Sequence, residues 1–367
     1  MAKNGFKVMD SDMHVNEPVD LWLRYIDPAF KDRAPRGLTR WNWDRAIELE
    51  GQTLGSDPQI VDTAKAKEHT SIYEDSEACN WDPASQVRAL SLEGVDVAVL
   101  YPTLGLYAQA VDGLDPALGA AIARAYNNWL YEFCSYAPDR LYGAAMLSPF
   151  EVQSAVTEAR RAVTELGFKG IFIRPNIVNG RNWHDGHYDP LWAELEELDV
   201  PLGFHEGIYS GLPQVGNWLD TFMMVHTCCH PLEMMVAIVS MIGGGVLERF
   251  PRLTAAFLEG NCSWVPWLLW RLDEHYELFG RLERPDLKLE PREYFRRQCY
   301  VSIDADEKPA TSMEEFGLTD NVVFSTDYPH LDAKYPHATE TFLTMPLSDE
   351  TKGKILWDNC ARLYGFN

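Results

Sequence analysis

The sequence is short of positive charge. Its 367 residues hold 32 Lys and Arg against 55 Asp and Glu, a formal net charge of −23, with a pI near 4.8. Grip on a nucleic-acid backbone needs a basic face, and none is supplied, so a nucleic-acid partner is excluded and the acidity reads as a solvated surface. Long apolar runs are also missing. None approaches the ~18–20 residues of a membrane span, so no membrane association is expected. The opening MAKNGFK has no apolar core of a secretory leader. The seven cysteines are odd in number and scattered, apart from adjacent Cys228 and Cys229. That excludes a disulfide framework and predicts reduced thiols in a cytoplasmic protein. No Gly-x-Gly-x-x-Gly follows an early apolar run, which counts against a doubly wound nucleotide-binding sheet. There is no internal repeat and no second-domain boundary.

What is present is a large apolar content, 46% of residues, with 12 Trp. That is ample for one large core, and most aromatics should line it or a pocket. Eight short apolar runs recur, at 6–10, 95–101, 141–147, 168–173, 201–204, 253–258, 299–303 and 321–325. Helical stretches separate most of them, at 84–93, 115–136, 151–166, 189–198, 230–242 and 263–277, and a last one covers 348–364. Unbroken apolar strands alternating with helices predict buried parallel pairing. Eight of them predict an α/β fold, a single (β/α)8 barrel over 1–367 with its active site at the C-terminal strand ends. Residues 27–85 carry Pro28, Pro35, Gly37, Gly51, Gly55 and Pro58 without periodicity, and are expected to be an insertion capping those strand ends. Trp264, Trp267 and Trp270 fall at spacing three and predict a core-facing helix stripe.

The polar residues at the strand ends are informative. The first run leads into Asp10, Asp12 and His14. Asp12 and His14 lie two apart and share one side of a strand, and Asp10 joins them if the strand stays regular. Such a pair can grip a divalent metal. Later runs end at Arg174 and Asn176, at His205, at Glu259, near Asp304 and Asp306, and at Asp327. Each has a plainer reading: a cap, a satisfied structural histidine, the start of a turn. Together they bring metal-type ligands from four strand ends to one cavity. His226 and His230 share a helix face, so one could reach that cavity; His230, just before Pro231, could equally mark a helix start. Arg174 could clamp a substrate carboxylate or serve a structural ion pair. Asp304 and Asp306 read as salt-bridge or loop-capping residues.

At these positions the chain resembles the amidohydrolase superfamily, in the branch that includes aminocarboxymuconate semialdehyde decarboxylase and γ-resorcylate decarboxylase. The carriers are DSDMHVNEP at 10–18, GFKGIFIRPN at 167–176, GFHEG at 203–207, GVLERFPRL at 245–253 and STDYPH at 325–330. The resemblance implies a divalent metal held by Asp12, His14, His205 and Asp327. Two departures stand out. The family's usual His-x-His is Asp-x-His here, and the strand-six end reads Glu259-Gly260-Asn261 where the decarboxylases present a histidine followed by glycines. Glu259 could be a general base or a further ligand. With His230 and Glu259 the ligands number six, while one zinc usually takes three or four. Two ions would fit, and iron or manganese suits the set as well as zinc.

The expected activity is that of a metal-dependent hydrolase or lyase on a small, aromatic or carboxylate-bearing substrate. Metal-activated water would attack or protonate, Asp327 or Glu259 would shuttle the proton, and Arg174 would clamp. The alternative is a non-heme di-iron or manganese–iron oxygenase on the same barrel; a third is a non-catalytic partner subunit. A homo-oligomer, or a hetero-oligomer with a related subunit, is expected.

Overall fold

Eight apolar segments become strands because both of their faces are covered, so each reads as an unbroken run. The computed structural model describes residues 3–38, 46–55, 71–207, 214–330 and 332–366. We number the barrel strands alone: β1 Met9–His14, β2 Val97–Tyr101, β3 Leu141–Met146, β4 Gly170–Ile173, β5 Leu202–Phe204, β6 Ala255–Phe257, β7 Cys299–Ile303 and β8 Val322–Phe324. They pair in parallel, each with the next in sequence. All of their residues but Tyr142 are buried. This is the expected (β/α)8 barrel.

The ring closes differently between β8 and β1. Side chains stitch that seam. Ser11 Oγ donates to the Phe324 carbonyl (2.6 Å) and Ser325 Oγ to the Asp12 carbonyl (3.0 Å), while the His14 amide donates to the Tyr328 carbonyl (2.7 Å). β1 also differs from the expected 6–10. Residues 3–6 form an isolated bridge, Lys3 to Phe6, so the strand starts later and runs through the candidate ligands.

The helices begin where the sequence supplies caps. Asp82 accepts from the Ser85 amide at the start of Pro83–Glu93, Asp115 from Ala117 at Pro116–Cys134, and Glu151 from Gln153 and Ser154 at Val152–Thr164. Inside the barrel the Tyr101 ring fills the space that Gly203 leaves. A Cβ on Gly203 would lie 2.4 Å from the Tyr101 hydroxyl. Tyr364, near the C-terminus, reaches in to hydrogen-bond both Tyr101 (3.2 Å) and the Ser11 carbonyl (2.7 Å).

Three expectations need correction. The helix expected at 230–242 is Phe222–Gly243, with Thr221 as its N-cap and Pro231 inside. His230 therefore does not start a helix. This helix also reaches the length and mean hydropathy (1.4) of a membrane span. It carries His226, His230 and Glu233, and its Val225, Cys229, Met234, Ala237, Ile238 and Met241 are buried in the protein. The tryptophan stripe does not face the core: in the helix Val265–His275 the buried positions are Val265, Pro266, Leu268 and Leu269, while Trp267 and Trp270 are exposed.

In the region expected to be a cap, 39–45 and 56–70 lie outside the described residues. The rest forms a 3-10 turn Pro28–Arg33, a three-stranded antiparallel sheet (Arg36–Gly37, Ala46–Leu49, Gln52–Gly55) and a helix Glu74–Ala78. Tyr73 packs on Tyr328 (5.6 Å) and Tyr335 (5.3 Å), both beyond the C-terminal end of β8.

Candidate metal centre

Four strand ends deliver side chains to one buried cluster. Asp12 and His14 come from β1, His205 follows β5, Glu259 follows β6 and Asp327 follows β8. His205 Nε2 lies 3.4 Å from Asp12 Oδ1 and 2.9 Å from Glu259 Oε2. His14 Nε2 lies 3.6 Å from Asp12 Oδ1 and 3.5 Å from Asp327 Oδ1. His230 reaches in from its helix, with Nε2 3.6 Å from Glu259 Oε1. Glu259 and Asp327 adopt left-handed backbone (φ 52° and 55°). Such geometry is costly for a glutamate and is held only where the surroundings dictate it.

Two imidazoles are oriented by backbone carbonyls. His14 Nδ1 donates to Pro102 O (2.7 Å) and His205 Nδ1 to Glu206 O (2.9 Å). Each therefore presents its Nε2 lone pair to the cluster, the arrangement a metal-bound histidine needs.

The charges are uncompensated. Burial pushes the Asp12 carboxyl up to about 7 against the pull of His205. Burial, then neighbouring Glu259, pushes Asp327 well above the usual carboxylate range. Burial also drives His205 and His230 below the ordinary imidazole value, so neither supplies positive charge near neutral pH. Both Asp12 oxygens, His205 Nε2 and both His230 nitrogens are buried and make no hydrogen bond. Carboxylates and neutral imidazoles converging without a counter-charge fit a divalent cation.

Asp10 does not join the cluster. The register of β1 against β2 shifts between Asp10 and Met13, which breaks the two-residue alternation. Its carboxylate instead accepts from the Asp12 amide (3.1 Å), the Thr326 amide (3.3 Å) and the Thr326 hydroxyl. Arg174 is committed elsewhere as well: its guanidinium donates to Gln109 O (2.9 Å), Ile177 O (2.8 Å) and the Asp112 carboxylate. These contacts are those of a structural ion pair. Asp306 pairs with Lys334 (3.4 Å), and Asp304 accepts from Asn261 (2.8 Å). His226 stands at the edge of the cluster, grouped with His230 and Glu259, its ring 5.1 Å from that of His230 and its Nε2 3.7 Å from Asp332.

Sequence reasoning missed His330. Its Nδ1 lies 2.7 Å from Asp327 Oδ1 and 3.6 Å from Glu259 Oε1, and its ring stacks on His14 at 3.9 Å. It sits three residues past Asp327 across a Tyr-Pro turn, where no strand periodicity applies. Behind it, Thr103 Oγ1 contacts His330 Nε2 (3.3 Å). Glu17 in turn holds the Thr103 turn, accepting from the amides of Thr103 (3.1 Å), Leu104 (2.8 Å) and Gly105 (2.9 Å). The donors fall into three overlapping groups: Asp12, His14 and His205; His14, Glu259, Asp327 and His330; and His226, His230 and Glu259.

The amidohydrolase family model matches residues 10–366. The chain belongs to the amidohydrolase family. It is 29% identical over 298 residues to 2-amino-3-carboxymuconate-6-semialdehyde decarboxylase of Dictyostelium discoideum, covering 78% of this chain and 77% of the relative. It is 30% identical over 310 residues to a γ-resorcylate decarboxylase of Rhodococcus jostii, covering 77% and 90%. Among solved structures, 5-carboxyvanillate decarboxylase of Novosphingobium aromaticivorans, complexed with manganese and 4-hydroxy-3-methoxy-5-nitrobenzoic acid, superposes with a TM-score of 0.70 at 20% identity, over 99% of this chain and 97% of that one. The resemblance in the strand-end motifs is thus that of a family member, and the protein is an enzyme of that superfamily.

Proposed function

We propose that this amidohydrolase is a metal-dependent lyase or hydrolase acting on a small, carboxylate-bearing molecule, with decarboxylation its favoured reaction, at a centre that takes two divalent cations. The observation that carries the reading is the size of the donor set: Asp12, His14, His205, His230, Glu259, Asp327 and His330 are joined by a chain of pairwise contacts, and Glu259 belongs to two of the overlapping groups. One cation would be held by Asp12, His14, His205 and Asp327. The other would draw on His230 and Glu259, with His226 beside them. Three carboxylates among imidazoles suit manganese or iron as well as zinc. The decarboxylase relatives and a manganese-containing structural neighbour support both the reaction class and the metal.

A bound cation supplies Lewis-acid polarisation of a substrate oxygen and compensates the buried carboxylates. The protein's own groups then divide the work. His330, 2.7 Å from Asp327, passes a proton to or from that carboxylate. Glu259 stands where the decarboxylase relatives are expected to present a histidine, and holds the second carboxylate to the reacting centre. His14 and His205 are held in one tautomer by Pro102 and Glu206 carbonyls. Exposed Trp267, Trp270 and Phe316 support oligomeric assembly.

The test is elemental analysis of protein purified without added metal, followed by a CO2-release assay on aromatic and unsaturated carboxylic acids. Two manganese, iron or zinc ions per chain with CO2 release are expected; a metal-free protein that binds none on reconstitution refutes the reading. The group His226, His230 and Glu259 favours one second reading, an oxygenase with a dinuclear iron or manganese–iron centre. Anaerobic loading with Fe(II) and exposure to O2 separates the two: oxygen uptake with a new visible absorption band selects the oxygenase.

A further inference from the structure

A second polar group is buried between the ends of β4 and β5, and it contains no imidazole. Glu206 is fully buried, and Glu233, on the helix Phe222–Gly243, is 5% exposed. Glu206 Oε1 accepts from Asn176 Nδ2 (3.4 Å) and from Gln214 Nε2. Gln214 Nε2 also donates to the Gly207 carbonyl (2.7 Å), and Glu233 Oε1 accepts from the Val215 amide (2.7 Å). These bonds leave oxygens over. Glu206 Oε2, Asn176 Oδ1 and Gln214 Oε1 are buried and make no hydrogen bond. Asn176 and Gln214 are 2% and 4% exposed.

Charge is as unbalanced as hydrogen bonding. Asn176 hydrogen-bonds both carboxylates, and burial, then the neighbouring Glu233, pushes the Glu206 carboxyl well above the usual carboxylate range in the absence of a cation. The neighbouring cation, Arg174, is held by Asp112 and by the Gln109 and Ile177 carbonyls, and offsets the Glu206 charge less than burial and Glu233 oppose it. Either carboxamide, turned over, offers its oxygen on the side where its NH2 now meets Glu206. The available donors are then two carboxylates, two amide oxygens and a backbone carbonyl. That is the ligand chemistry of a hard, oxygen-preferring cation, and two negative charges match a divalent one. It contrasts with the imidazole-rich cluster, which selects transition metals.

We propose that Glu206, Glu233, Asn176, Gln214 and the Gly207 carbonyl form a separate, all-oxygen cation site that takes a hard divalent ion of the Ca2+ type. Occupying it holds the helix Phe222–Gly243, which carries His230, against the end of β5, which carries His205.

The test uses full-length protein saturated with manganese and titrated with CaCl2 by calorimetry, with thermal unfolding and manganese content read in parallel. One Ca2+ per chain, a raised Tm and unchanged manganese content are expected. Glu233→Gln should weaken Ca2+ binding by roughly tenfold or more while keeping the manganese. Gln214→Leu serves the same purpose if Glu233→Gln does not fold. The proposal is overturned if millimolar Ca2+ produces no heat and no shift in Tm, as a proton or water between the carboxylates would give. It is equally overturned if Ca2+ displaces manganese one for one, or if both variants bind Ca2+ as the parent does. None of these outcomes bears on decarboxylation, so this site and the proposed reaction fail independently.

Discussion

His330 Nδ1 meets Asp327 Oδ1 at 2.7 Å while its ring stacks on His14 at 3.9 Å. One imidazole thus touches both edges of the β1–β8 seam at the level of the candidate ligands. Replacing it should act on the centre more than on the fold. His330→Ala is expected to weaken manganese binding or lower kcat/KM by about 10–100-fold, with far-UV circular dichroism unchanged. A variant with parental metal affinity and turnover would remove His330 from the centre.

Asp12 and His205 meet at 3.4 Å within the cluster. The double variant Asp12→Ala with His205→Ala is expected to lose the cation assigned to Asp12, His14, His205 and Asp327, read as a fall in metal content per chain after reconstitution and desalting. Unchanged content would refute the ligand assignment.

Metal uptake should depend on pH in a defined direction. The Asp12 carboxyl titrates near 7 because it is buried, and a proton there competes with the cation. Manganese affinity should rise about tenfold per pH unit below pH 7, and go on rising above it while Asp327, also pushed well above the usual carboxylate range, gives up its proton. His205 and His230, held below the ordinary imidazole value, are already neutral in that window and add nothing to the slope. A flat affinity between pH 6 and 8 would contradict this.

Arg174 should matter to stability and not to the metal. Arg174→Ala strands the Asp112 carboxylate and removes the donors to the Gln109 and Ile177 carbonyls. Loss of one partner of a buried pair costs about 3 kcal/mol; the exposed edge of Asp112 places this one at or below that figure. Denaturant unfolding should show the loss while metal content stays at the parental level.

Glu17 should act at a distance. Its carboxylate holds the Thr103–Gly105 turn, and that stretch supplies Pro102 O to His14 and Thr103 Oγ1 to His330. Glu17→Gln is expected to weaken manganese binding by about tenfold. A control such as Asn127→Ala, far along the chain in a network with Glu158 and Met146, should lower Tm without that effect. Equal metal affinity in Glu17→Gln and the parent would make Glu17 purely structural.

The barrel was legible because buried parallel strands leave unbroken apolar runs, and Pro and Asp caps mark the helices between them. Asp12, His14, His205, Glu259 and Asp327 could be read off because each stands one to four residues past an apolar run. What escaped did so for local reasons. The β1 register shift withdraws Asp10, and spacing alone assumes a regular strand. Pro231 sits inside a helix, so the start at Phe222 was hidden behind it. Arg174 finds Asp112, 62 residues away in sequence, a pairing no short window reveals. Trp267 and Trp270 keep helical spacing yet face outward, since period says which residues share a face and not which way it points.

The seam between β1 and β8 joins segments more than 300 residues apart, and serine hydroxyls span it where other strand pairs have a backbone ladder. Asp12 and His14 lie on one side of it and Asp327 on the other, so a cation among them would cross-link the first and last strands of the barrel. Chelation should then loosen the two ends of the chain before the middle. Amide exchange in β1 and β8 would be the earliest to quicken, and the centre would count among the fastenings of the barrel as well as its reactive part.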